Sequence, residues 1–103
     1  MTIANMHAVR ELVLYTDNTR IIYERHTLPV IENLRKKAKR GTYDPEKAAK
    51  AWGYVAEAAA KAYAREYDRP ENWCRLFNAS TRRAAAAELE ETNREQVFEG
   101  VLA

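Results

Sequence analysis

The chain has 103 residues, with 17 Lys plus Arg against 15 Asp plus Glu, a formal net charge of +2, and 47% hydrophobic residues. That length fits a single domain spanning 1–103 that buries roughly two-thirds of its unfolded surface, which excludes a large multidomain enzyme with a site between domains. One thiol, Cys74, cannot close an internal disulfide, and neither a long uncharged apolar run nor a leader pattern in Met1 to Leu14 is present, so the expectation is a soluble protein of a reducing cytoplasm with no membrane contact.

Residues 1–15 read in two ways: as a loose arm in which Val9 to Tyr15 forms a short strand by β-branched and aromatic content, or as helical turns with Val9, Leu12 and Val13 inward. From there the chain is rich in Ala, Glu, Lys, Arg and Leu, residues that lose little side-chain freedom in a helix, and Gly and Pro are sparse. An all-α bundle of three main helices plus one short helix is therefore predicted. The first runs over 17–40, capped by Asp17 or Thr16, with Ile21, Leu28, Ile31 and Ala38 inward and Gly41 stopping it. Pro29 lies inside it and removes a backbone donor, which predicts a kink near Arg25 to Leu28 or two shorter helices.

The second helix, 45–67, has the clearest start: Asp44 as N-cap, Pro45 at the first helical position and Glu46 at the positive end of the dipole. Ala48, Trp52, Val55, Ala59 and Tyr63 share one face, the expected core. After Asp68-Arg69-Pro70 a short helix, 71–77, carries Trp73, Leu76 and Phe77, and here Cys74 reads as a small buried hydrophobe. Asn78-Ala79-Ser80 reads as a turn ending in an N-cap, followed by a last helix over 81–99. Its stripe of Ala85, Leu89 and Thr92 is thin, strengthened by Val97 and Phe98.

No catalytic group of residues assembles. His7 and His26 lack metal-ligand spacing, and Gly41 and Gly53 match neither phosphate-binding loop pattern, so the chain reads as a binding protein rather than an enzyme, with no metal and no cofactor. Charge is more informative. Residues 88–103 hold five Glu and one Arg, a net of −4, which leaves +6 on residues 1–87. Arg35, Lys36, Lys37, Lys39 and Arg40 end the first helix, where cations suit the dipole, and Lys47 and Lys50 begin the next. Together they form a candidate basic pole for an acidic protein or a nucleic acid. Arg82 and Arg83 sit in the first turn of the last helix, where cations oppose the dipole; either acidic residues elsewhere in the chain pair with them, or they build an anion site with Ser80 and Thr81. The short helix, turn and long helix also resemble a helix-turn-helix, though the turn lacks Gly and Glu88, Glu90 and Glu91 would repel a phosphate backbone. Most aromatic residues (Tyr43, Trp52, Tyr63, Tyr67, Trp73 and Phe77) are assigned to the core. Tyr54 falls on the side of Lys47, Lys50, Lys61 and Arg65 and is a candidate contact residue.

Leu14-Tyr15-Thr16-Asp17-Asn18, then Pro29 to Asn33-Leu34, Lys36-Lys37-Ala38-Lys39-Arg40-Gly41-Thr42-Tyr43, and Ala58 to Ala64 ending in Arg65-Glu66-Tyr67, form a pattern over roughly residues 12–90. It resembles short helical proteins encoded by bacteriophages and other mobile elements. What that resemblance implies is an accessory protein in the cytoplasm of a bacterial host that acts by stoichiometric binding to a host or phage protein. Inhibitors of host defence or of nucleic-acid-processing complexes, such as anti-CRISPR proteins, are a prominent type. The alternative partners are nucleic acid, through the helix-turn-helix-like segment, and a second copy of the chain, through its alanine-rich faces.

Overall fold

Local capping decides the first element. In a computed structural model of the chain, which describes residues 4–101, the Asn5 side chain accepts the backbone N–H groups of His7 and Ala8 and starts helix α1, Met6–Asn18. Val9, Leu12, Val13 and Thr16 recur at helical spacing and are buried. The helical reading of this segment holds and the strand reading does not; residues 1–3 lie outside the described residues.

Asp17 and Thr16 do not cap the next helix, because both are inside α1 and Thr16 Oγ1 donates to the Leu12 carbonyl at 2.7 Å. The break falls at Thr19, whose backbone is extended, and the chain re-enters a helix as α2, Arg20–Ile22. That offset rotates the stripe: Ile22 is buried, and Ile21, expected inside, is exposed. A wide π-turn, Tyr23–Thr27, follows and leads into α3, Leu28–Lys39. Pro29 is the cause. It has no N–H for the Arg25 carbonyl and its ring crowds that carbonyl, so the coil widens and the Leu28 N–H reaches the Tyr23 carbonyl five residues back. The disruption expected near Arg25 to Leu28 takes this form.

Gly41, at φ +73°, ends α3 in the left-handed conformation that costs glycine least. The Asp44 side chain accepts the Glu46 N–H and starts α4, Pro45–Glu66. Ala48, Trp52, Val55, Ala56, Ala59, Ala60 and Ala64 are buried along it. A turn of 3-10 helix, Pro70–Asn72, and the single turn α5, Trp73–Leu76, cover one end of the bundle. There Cys74 is exposed, not buried, because Trp73, Leu76 and Phe77 take the inward positions of so short a segment.

The last helix, α6, Ala79–Phe98, begins two residues before its predicted start: Asn78, not Ser80, is the cap, its side chain accepting the Thr81 N–H. Its buried residues are Thr81, Ala85, Ala86, Leu89, Glu90 and Val97, whereas Thr92 is exposed. α6 packs most extensively on α4, where small side chains let the two backbones approach, and α1 and α3 pack on both. Trp52 and Phe77 are the largest fully buried side chains of the shared core. Among the described residues every regular element is helical.

Candidate functional site: a basic groove between α4 and α6

The structure divides the basic residues that the sequence groups together. Arg35 does not belong to a basic pole: its side chain is half-buried and Nη2 donates to the Gln96 carbonyl of α6 at 2.8 Å. A guanidinium placed there meets the carbonyl end of α6, which is where a cation is favoured. Lys36, Lys39, Arg40 and Lys47 are exposed around the 40–44 connection and Lys37 is half-buried. The connection is tied down by Thr42, whose N–H donates to the Lys37 carbonyl at 2.9 Å, and by Tyr43. The Tyr43 hydroxyl donates to Glu90 Oε2 at 2.7 Å while its ring meets Phe98 edge-on at 4.9 Å.

Glu90 is only 4% exposed. The half-exposed Arg94 grips both of its oxygens, with Nε 2.7 Å from Oε2 and Nη2 on Oε1. Arg94 foremost, and Tyr43 after it, hold the Glu90 carboxyl below its ordinary range against the opposing effect of burial. Burial and the Glu90 charge push the Tyr43 hydroxyl up to about 12. This network braces the α3–α4 connection against α6.

A concavity with a basic lining lies elsewhere. α4 contributes Ala49, Lys50, Gly53, Tyr54 and Glu57, and α6 contributes Ala79, Arg82, Arg83 and Ala86, to a groove of about 560 Å³. Four of the sequence-predicted contact residues, Lys50, Tyr54, Arg82 and Arg83, are thus brought together from two helices. The remainder of the predicted pole is not part of it. The small residues Ala49, Gly53, Ala79 and Ala86 are what make a concave floor possible; longer side chains at these positions would fill it. Tyr54, 75% exposed, stands over that floor.

The two arginines have different roles. Arg82 is fixed: Nη1 donates to the Phe77 carbonyl at 2.6 Å and the guanidinium lies 4.8 Å from the centre of the Trp73 ring, which Lys61 also approaches at 4.9 Å. Arg83 is exposed and donates to Ser80 Oγ at 3.4 Å. Neither is paired with a carboxylate among the described residues, so internal ion pairing does not explain two cations at this helix start. Glu57, the one acid of the groove, is 3.4 Å from Lys61. The lining therefore carries an excess of positive charge.

The helix-turn-helix comparison is weakened by the same geometry. Thr81, which the sequence offers for an anion site at the start of the long helix, is 1% exposed, and its Oγ1 accepts the Asn5 N–H at 3.2 Å. The preceding helix is a single turn, Trp73–Leu76.

A second concavity, lined by Thr92, Glu95, Gln96, Phe98 and Glu99, is acidic. α6 is continuous from Ala79 to Phe98, so at about 1.5 Å per residue its acidic end is held well away from the groove and does not fold back onto it within one chain. Among the described residues no group of three or more His, Cys, Asp or Glu is placed to hold a metal ion, and no helix is long and apolar enough to cross a membrane. No family model, curated protein or solved structure matches this chain. Sequence reasoning missed Ala49, Gly53, Ala79 and Ala86; the available signal was Gly53, a lone glycine inside an alanine-rich helix.

Proposed function

We propose that this protein acts by stoichiometric binding to another protein, and that the groove between α4 and α6 receives an acidic part of the partner. One observation carries this reading: a tyrosine 75% exposed stands beside Lys50, Arg82 and Arg83 over a floor of alanine and glycine. Exposed tyrosine offers large contact area at small entropic cost, and arginine is the cation most favoured in protein interfaces. Positive rims also speed encounter with acidic partners and disfavour basic ones. The narrower form of the proposal, suggested by the sequence resemblance, is an accessory protein of a mobile element. It would inhibit a host complex that processes nucleic acid by occupying acidic residues beside the complex's own binding groove.

The test places a photo-crosslinking amino acid at Tyr54 and, as a control, at Leu14, which is 54% exposed on α1. The expected result is a protein adduct from position 54 alone, unaffected by nuclease and abolished by Lys50→Glu with Arg83→Glu. Adducts to nucleic acid only, or protein adducts that form equally from position 14, would overturn the reading. For the inhibitor form, the partner's activity should fall linearly to a one-to-one end point.

A further inference from the structure

Gly53 is the unexplained residue of α4. It lies well inside a 22-residue helix, where glycine weakens the helix relative to alanine. The same helix has alanine at 48, 49, 51, 56, 58, 59, 60, 62 and 64. Gly41 and Gly100 have φ of +73° and +78° and are required by the backbone. Gly53 has no such excuse. A Cβ added to it would meet nothing within 4 Å, so no neighbour in this chain needs its absence. The position opens onto the floor of the groove, between Ala49 one turn before and Tyr54 beside it.

We infer that the groove takes an acidic α-helix of the partner, which crosses α4 over the bare backbone at Gly53 and sets its carboxylates against Lys50 and Arg83. The inference rests on the proposed binding role of the groove and adds what binds there and how closely. A helix is favoured over an extended segment because both walls are helices, whose backbone donors and acceptors are already paired; there is no strand edge to extend. A crossing helix needs only small residues at the contact point, which Ala49, Gly53, Ala79 and Ala86 supply. Without a Cβ at 53 the axes come closer, and Cα–H groups can meet carbonyls of the incoming helix. Acidic character follows from the lining: Lys50, Arg82 and Arg83 face the site, and its one carboxylate, Glu57, lies beside Lys61.

The experiment selects binders to the full-length protein from a displayed library of helical peptides with randomised surface positions, then measures their affinities for the wild type, Gly53→Ala, and Lys50→Glu with Arg83→Glu. The expected winners are acidic, with small residues spaced one turn apart. Charge reversal should weaken them about tenfold or more, since it removes both proposed interfacial ion pairs. Gly53→Ala should weaken them by about as much while raising Tm by a few degrees, since a helix-favouring residue replaces glycine. Unchanged affinity in Gly53→Ala, with charge reversal still effective, would overturn the close crossing and leave the groove as a binding site. Indifference to charge reversal as well would overturn both. Winners without acidic excess, or no winners at all, would refute the inference. So would a dimer of the free protein, seen by sedimentation and dissociated by Gly53→Phe, because the groove would then belong to a second copy.

Discussion

Replacing Tyr43 by Phe removes one hydroxyl from the Glu90 network and leaves the ring on Phe98 in place. The hydrogen bond lost, 2.7 Å long, is to a carboxylate that is 4% exposed. Hydrogen bonds to charged groups contribute about 1.5–3 kcal/mol, and Arg94 still satisfies Glu90, so the lower part of that range applies: about 1.5 kcal/mol. For a domain of this size the loss corresponds to a fall in Tm of roughly 6–10 °C. The assay is urea unfolding of both proteins across pH. Glu90 has its folded pKa depressed, so its contribution is present above the unfolded carboxylate range and is lost as pH falls through the folded value. Tyr43 has its folded pKa raised from 10.0 to about 12, so its contribution is present below pH 10 and lost as pH rises toward 12. The gap between wild type and Tyr43→Phe should therefore be widest between pH 5 and 9 and narrow at both extremes, by linkage. A gap under about 0.5 kcal/mol at pH 7, below the usual net value of one hydrogen bond, would refute the network as a brace.

Asp17 is the opposite case: burial, then the Glu88 charge, raise its folded pKa, so its contribution to stability is present at low pH and lost as pH rises through that value. Asp17→Asn should thus stabilise the protein at pH 7 and have little effect at pH 3, compared by urea midpoints; destabilisation at pH 7 would contradict the unfavourable setting of the Asp17 charge. Thr27 is 3% exposed and its hydroxyl has no partner, so the isosteric Thr27→Val should raise stability by about 1 kcal/mol, the smaller end of the cost of an unsatisfied buried polar group. Gly41→Ala, at φ +73°, should cost about 1–2 kcal/mol in the same measurement, the penalty of a Cβ in the left-handed region. Gly53→Ala should do the reverse, a contrast that separates the glycine demanded by the fold from the one that is not.

Much of the helical plan was legible because it depends on neighbours along the chain. Asp44-Pro45-Glu46 starts α4 and Gly41 ends α3, each through bonds to residues within a turn or two. Pro29 disrupts the helix for a reason internal to its own ring, although the form of the disruption, a π-turn rather than a break, reflects how the widened coil keeps Ile22 and Ile31 both in the core. The start of α1 was ambiguous only because Val9 to Tyr15 suits either structure by composition; Asn5, a cap placed just before it, carried the decision.

Tertiary structure alone decided where side chains of one sequence cluster go. Arg35 and Lys36 are adjacent in the chain, yet one reaches the Gln96 carbonyl and the other is exposed, since helix geometry turns successive residues about 100° apart and only α6 fixes which direction is inward. Ser80, Thr81, Arg82 and Arg83 read as one polar group, but Thr81 is consumed by the Asn5 N–H and Arg82 by the Phe77 carbonyl. The groove is the fullest example. Residues 49–57 and 79–86 are more than twenty positions apart and share no local signal; their union exists because α4 and α6 pack closely through alanine. Local bonds determined where the helices of this protein start and stop, and long-range packing determined which of their surfaces meet and what those surfaces can bind.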